Sequence, residues 1–252
     1  MERAGFLNAF STRRGGVSSL PAGALNLHDK NDSRENVQEN RRRFRKAIGA
    51  GKGMFVFGRQ IHGADVARVN GSFSKNRTCD ALISDREGVF LTVKTADCLP
   101  ILLADPRTGA YAAVHAGWRG TVQGVVQKAV LDMERSFGTD AKDIRAALGP
   151  AACVDCYEVG EEVVQSFRAS FSYSAALFKK SRKEPKPHLN LKEANRRQLL
   201  GAGLDPARIY VSPHCTIHQN HLFFSHRRES RSPLGVGRQW AVIGRMPRGI
   251  KR

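Results

Sequence analysis

His62, Cys98 and His115 are the residues of this chain whose types could do chemistry together. They fall in Gln60-Ile61-His62-Gly63, Thr95-Ala96-Asp97-Cys98-Leu99-Pro100 and Val114-His115-Ala116-Gly117-Trp118-Arg119-Gly120. Each sits where an extended apolar run meets a turn. A fold that gathers those turns on one rim would set two imidazoles and one thiolate around a zinc ion, with a fourth position open to water or substrate. An ion held in that way activates water near neutral pH. Spacing alone leaves two other readings open. Cys98 could be a nucleophile with His115 as its base, its thiol made acidic by a nearby helix N-terminus. Alternatively, the three are a half-buried cysteine and two histidines satisfied by backbone groups. Asp97 could orient a ligand or base, or cap the turn before Leu99.

Two further clusters compete. Cys153-Val154-Asp155-Cys156 has knuckle spacing, but no second close pair accompanies it and no thioredoxin-like unit surrounds it. Neither a metal nor a redox role is expected there. His214, His218, His221 and His226 lie close together. Pro213 and a strand-like Leu222-Phe223-Phe224 break any helix that would align them, which reads them as scattered loop histidines.

The elements that must position these residues are legible from periodicity. Asp32 or Ser33 caps a helix running to about Ala50, with Val37, Phe44, Ala47 and Ile48 on its apolar face. Met54 to Phe57 and Ala64 to Val69 read as strands on either side of His62. Val89 to Lys94 and Leu99 to Ala104 are β-type runs; Asp105-Pro106-Arg107-Thr108-Gly109 turns the chain, and Ala110 to His115 returns. Thr121 is expected to cap a helix that keeps its apolar spacing from Val122 to Phe137 and ends at Gly138. That helix N-terminus offers N–H groups to an anion, with Arg119 beside it. Gly160 to Phe171 and Leu191 to Leu200, the latter capped by Asn190, are further helices. Ile209 to Val211 and Leu222 to Phe224 read as short strands, and 179–187 as an exposed polar loop. Strands and helices mixed without strict alternation argue for an α+β fold.

Composition narrows the class. The 252 residues suffice to bury a core without disulfides, and residues 1–252 read as a single domain. No run of eighteen or more apolar residues occurs and the first ten residues carry no leader pattern, which predicts a cytoplasmic protein without membrane association. Five cysteines, an odd number, suit a reducing compartment better than a disulfide framework. The net charge of +18 (41 Lys+Arg less 23 Asp+Glu) would attract phosphorylated metabolites. Its dense spots, at Arg41 to Arg43, Lys179 to Lys186, Arg227 to Arg231 and the tail from Arg245, form no nucleic-acid motif and carry no interleaved aromatics. Nucleic acid is therefore not an expected partner.

The runs Thr12-Arg13-Arg14-Gly15-Gly16-Val17-Ser18, Leu25-Asn26-Leu27, Gln60 to Gly63, Thr95 to Pro100, His115 to Thr121, Gly149-Pro150, Cys156-Tyr157-Glu158-Val159-Gly160 and Phe224-Ser225-His226-Arg227-Arg228 resemble the laccase-domain family. That family is also called multicopper polyphenol oxidoreductase-like or peptidoglycan editing factor. The matches span almost the whole chain in family order. The resemblance implies a layered α/β/β/α fold with mixed sheets, similar to a toxin deamidase with a Cys-His dyad. It also implies zinc on His62, Cys98 and His115, and phosphorolysis of inosine, adenosine or methylthioadenosine with a side activity deaminating adenosine. For that chemistry the candidate phosphate contacts are Arg59, Arg119 and Arg13-Arg14, and the candidate nucleoside contacts are Asn26, Gln60 and Tyr157. Copper fits less well than zinc, because a multicopper oxidase needs paired histidine motifs and a blue-copper cysteine with histidine partners. An amidase-type editing of a peptidoglycan precursor at the same zinc or at Cys98/His115, and a non-enzymatic basic nucleotide-binding module, are the alternatives. The chain departs from the family pattern at His226, where a tyrosine is usual.

Overall fold

The structure is a computed structural model and describes residues 1, 4–20, 22–74, 76–179 and 186–246. The polar loop expected over 179–187 and the basic tail therefore lie mostly outside the described residues.

Apolar runs bounded by turn residues become the strands. In chain order they are β1 (Phe6–Phe10), β2 (Ser18–Ser19), β3 (Ala22–Ala24), β4 (Met54–Phe57), β5 (Val66–Arg68), β6 (Ala81–Ser84) and β7 (Val89–Thr95). There follow β8 (Leu99–Ala104), β9 (Tyr111–Ala116), β10 (Arg145–Leu148), β11 (Phe178–Lys179), β12 (His188–Leu189), β13 (Ile209–Val211) and β14 (Gln239–Arg245). The helices are α1 (Arg34–Ala47), α2 (Trp118–Val122), α3 (Val125–Phe137), α4 (Glu161–Ser170), α5 (Leu191–Gly201) and α6 (His226–Glu229).

Two mixed sheets carry the architecture: a four-stranded one ordered β1-β14-β7-β4 and a six-stranded one ordered β13-β10-β8-β9-β6-β5. Leu91, Val93 and Ile243 of the first face Leu102, Tyr111 and Ala113 of the second in a shared core. On the outer face of the six-stranded sheet, α3, α4 and α5 bury Val126, Val130, Met133, Phe167 and Leu199 against Ile101, Leu103 and Val114. On the outer face of the other sheet, Phe44 of α1 packs edge-on to Trp240 at 5.8 Å between ring centres. The layers are thus α/β/β/α, as the resemblance implied. Full burial of each such side chain stabilises by roughly 1.5–3 kcal/mol.

Ser33 caps α1, its side chain accepting from Asn36 N–H at 3.1 Å. Asn40 of α1, buried, donates to the carbonyls of Ala24 and Asn26 and so ties the helix to the 17–28 arm.

Three expectations need correction. The helix from Thr121 to Phe137 is two: Gly124 adopts a left-handed conformation (φ +73°) and separates α2, which begins after Gly117, from α3. Leu222 to Phe224 is no strand, because both backbone groups of Phe224 are taken by the Gln239 side chain. The run from Ala64 to Val69 contracts to β5. Strands β6, β10 and β14 had no separate sequence signal.

Candidate active site

Strand register builds the site. In the hairpin of β8 and β9, Pro100 lies opposite His115 and Leu99 opposite Ala116, which sets Cys98 beside the end of β9. On the other side of β9, β6 pairs Ala81 with Val114, so Asp80 stands beside His115. Cys98 lies on the crossover from β7 in one sheet to β8 in the other. The three strand ends therefore meet at the rim between the sheets.

Asp80, unremarked in the sequence, organises this rim. Its carboxylate accepts from the backbone N–H groups of Ile61 (3.1 Å), His62 (3.0 Å) and Gly63 (2.8 Å). It also binds His115 Nδ1 at 2.8 Å. One carboxylate thus folds the turn that carries His62 and fixes the ring that faces it. Burial alone would push the Asp80 carboxyl up, but the His115 bond and those from Ile61 and Gly63 hold it below the usual range.

The outcome is that His62, Cys98 and His115 converge. One ligand atom from each lies within 4.8 Å of the others, and the two imidazole rings sit 5.0 Å apart, near perpendicular. His115 is buried, Cys98 half-buried and His62 exposed. With Nδ1 of His115 committed to Asp80, its Nε2 is left for the cluster, the arrangement found around metal-ligating histidines. Burial raises the Cys98 thiol, yet His115 and His62 overcome this and bring it down to about 6. Burial lowers the His115 imidazole, and Cys98 with Asp80 reverses that, to about 9. A thiolate among two imidazoles is a donor set that suits zinc.

Backbone strain marks the same place. Among the described residues, the non-glycine residues with positive φ are Asn31, His62 (+62°) and Asp97 (+87°). Such a conformation costs of order 1–3 kcal/mol and persists only where neighbours impose it. Asp80 imposes it at His62. At Asp97, the carboxylate accepts from Thr216 Oγ1 (2.7 Å), Ser225 Oγ (3.1 Å) and Arg227 N–H (2.7 Å). Asp97 is therefore a brace for the Cys98 crossover; the group that orients the histidine is Asp80. Gly117 closes the site: a Cβ there would stand 3.1 Å from His62 Cδ2 and 3.3 Å from Cys98 Sγ.

A cavity of about 440 Å³ opens onto the cluster. Its wall holds His28, Lys30, Arg59, Gln60, Lys94, His226 and Arg238 beside the three cluster residues. The side chains crowd positive charge: His28 is lowered to about 4 by burial and then by Lys94 and Arg238, and Lys94 itself is lowered chiefly by burial. A wider groove of about 790 Å³ over β10 and β13 is lined by no histidine, cysteine or carboxylate.

The other expected contacts divide. Arg59 and Gln60 line the cavity, Gln60 being pinned by paired hydrogen bonds with the Lys94 backbone (2.9 Å each). Asn26 does not reach it: fully buried, it closes the turn to His28 and accepts from Arg238 N–H at 3.0 Å, and so holds two wall residues. Arg119 is exposed and lies over the Trp118 ring at 4.3 Å, outside the cavity. Arg13 is buried, salt-bridged to Glu229 at 2.8 Å and stacked on Phe224, which makes it part of the scaffold. Arg14 lines a separate groove with Asn220 and His221. Tyr157 is half-buried in a neighbouring small cavity, under Arg227. His28, Lys30, Lys94 and Arg238 escape the sequence reading, because singly placed basic residues carry no spacing signal.

The reading of Cys153 and Cys156 as lacking a partner pair is also corrected. Cys215 and His218 join them, with one ligand atom from each of the four residues within 4.8 Å of the others. The signal was the Cys-x-x-His spacing of Cys215 and His218, hidden by counting cysteine pairs alone.

Fold and rim together are those of a laccase-domain protein. The family described as multi-copper polyphenol oxidoreductase laccase matches residues 7–246, and the chain belongs to that family. It is 41% identical over 242 residues to a purine nucleoside phosphorylase of Deinococcus radiodurans, covering 96% of this chain and 89% of that protein. It is 36% identical to the adenosine deaminase RL5 of an unknown prokaryotic organism, covering 88% of each. The crystal structure of YlmD from Geobacillus stearothermophilus superimposes with a TM-score of 0.86 at 35% identity, covering 97% of this chain and 93% of that one. No helix among the described residues is long and apolar enough to cross a membrane.

Proposed function

We propose that this chain is a zinc-dependent purine nucleoside phosphorylase, acting on inosine, adenosine or methylthioadenosine, that also deaminates adenosine. The observation that carries the reading is the His62, Cys98 and His115 cluster at the floor of a cavity walled by Lys30, Arg59, Lys94 and Arg238. The names of the relatives from Deinococcus radiodurans and of RL5 support it.

His62, Cys98 and His115 are the residues that would hold the zinc ion, which when bound supplies a Lewis acid for the water that replaces ammonia at the purine C6. For phosphorolysis the same three residues would hold the nucleoside at the cluster, while the cations of the wall take the phosphate. Phosphate enters among Arg59, Lys94 and Arg238, where its charge offsets the burial cost, and the smaller mutual repulsion, that lower Lys94 and His28. A phosphate oxygen attacks the ribose C1′ while the C1′–N9 bond breaks, and the bonding pair leaves with the purine. Arginines and lysines around the phosphate hold it in line for that attack. The departing base needs a proton. His62 and His115 are committed to the cluster, and His226 on the cavity wall is the residue placed to deliver it.

The test is hypoxanthine release from inosine with phosphate present and omitted. Release is expected only with phosphate, and Arg59→Ala is expected to raise the phosphate KM about tenfold, the loss of one charge-assisted hydrogen bond. Release without phosphate would overturn the proposal.

A second reading has one observation in its favour: Asp80, His115 and Cys98 form a carboxylate, imidazole and thiol row, with Asp80 bonded to His115 at 2.8 Å. That row would serve an amide hydrolase without metal. Activity that survives a chelator and is lost on thiol alkylation would favour it.

A further inference from the structure

Outside the cavity, the chain gathers a second set of soft ligands that the proposed reaction does not use. Cys153 and Cys156 lie on one tight turn, with the N–H groups of Cys156 and Tyr157 both donating to the Cys153 carbonyl at 3.0 Å. Cys215 and His218 lie on another, closed by Gln219 N–H on the Cys215 carbonyl at 2.9 Å. A parallel bridge between Ala151 and Cys215, with Thr216 N–H on the Ala151 carbonyl at 3.2 Å, clamps the two turns face to face. The result is two Cys-x-x-ligand corners meeting at one point, with Cys153 Sγ 3.7 Å from His218 Nδ1.

We propose that Cys153, Cys156, Cys215 and His218 bind a structural zinc ion, separate from the cluster at the cavity.

Two features beyond the ligand count support this, and the count itself sets the kind of site. The Cys215 sulfur accepts two backbone N–H groups, from Cys153 at 3.3 Å and His218 at 3.4 Å. Such bonds favour a sulfur that carries negative charge, as a metal-bound thiolate does. Lys192, buried on α5, donates to the carbonyls of Ser212 (2.7 Å) and His214 (2.6 Å) and lies within electrostatic reach of Cys215 and Cys153. Three thiolates around a divalent ion leave one negative charge, and this ammonium offsets it. Finally, four protein ligands complete a tetrahedral shell and leave no position for substrate, which makes the site structural.

Its consequence reaches the cavity. Ala152, next to Cys153, donates its N–H to the Asp97 carbonyl at 3.0 Å, and Thr216, next to Cys215, donates to the Asp97 carboxylate. Both corners of the second site therefore grip the strained residue that precedes Cys98. The ion fastens the crossover on which Cys98 stands.

The test uses cobalt(II) on the full-length chain carrying Cys98→Ala, so that the first cluster is disabled. Cobalt is expected to give the visible bands of a tetrahedral thiolate site and the sulfur-to-metal charge-transfer absorption, and both are expected to vanish with Cys156→Ser added. His218→Ala, at an exposed position, keeps the turn's backbone bonds and is the second variant; in the otherwise unaltered chain it is expected to lower the bound zinc from about two ions to about one. Absence of the bands in Cys98→Ala, unchanged zinc in His218→Ala, or a disulfide between any two of the three cysteines in protein purified under reducing conditions would each overturn the proposal.

Discussion

Asp80 is the residue on which the rim turns, because a single carboxylate both folds the His62 turn and orients His115. Asp80→Asn keeps the size but cannot accept three N–H bonds and the imidazole at once. Loss of about 10–100-fold in metal affinity and turnover is expected, as for other groups that orient metal-bound histidines, read by chelator competition and initial rates. The thiol gives a second, independent handle. In metal-stripped protein the imidazoles hold Cys98 near 6 against an ordinary value of 9.0, so it is a thiolate above about pH 6 and a thiol below. Alkylation of Cys98 should therefore rise through pH 6; a rise only near pH 9 would mean that the histidines do not stabilise the thiolate. Neither property was legible beforehand. Asp80 stands in Thr78-Cys79-Asp80-Ala81, with no spacing relation to His62 or His115, and only the β6 and β9 register brings it there.

Elements position the cluster through close backbone approach, and glycines permit it. At Gly120, in α2, an added Cβ would stand 2.7 Å from the Gly63 carbonyl oxygen. Because that neighbour is backbone, the helix or the His62 turn must move. Gly120→Ala is expected to cost about 1–3 kcal/mol, the usual penalty of overpacking, and to loosen metal retention more than the thermal midpoint suggests. Equal metal retention in variant and wild type would show that the turn moves freely. The apolar runs of β7, β8 and β9 were readable because each is continuous and bounded by turn residues, and α1 and α5 because each follows a capping residue, Ser33 and Asn190. β6, β10 and β14 were not. β6 and β14 are buried almost throughout and show no alternation, and β10 alternates over only four residues, too few to stand out from loop sequence. The break at Gly124 was missed because apolar spacing continues across it.

At the scale of the whole molecule, the candidate site sits where the two sheets part: the chain crosses from one to the other at Thr95 to Leu99, and the crossing carries Cys98. The motif residues were legible because they sit at strand ends. The basic residues of the cavity wall were not, since His28, Lys94 and Arg238 come from distant segments gathered by α1, Asn26 and β14. The net charge of +18 takes on local meaning there, as a recess suited to phosphate. The most direct measurement is metal content beside phosphate-dependent hypoxanthine release for wild type and Cys98→Ala. The variant is expected to fold, to carry about one zinc ion fewer per chain and to lose turnover to background. A Cys98→Ala protein that keeps its full zinc complement and still cleaves inosine at the wild-type rate would contradict the assignment of the cluster as the reaction centre.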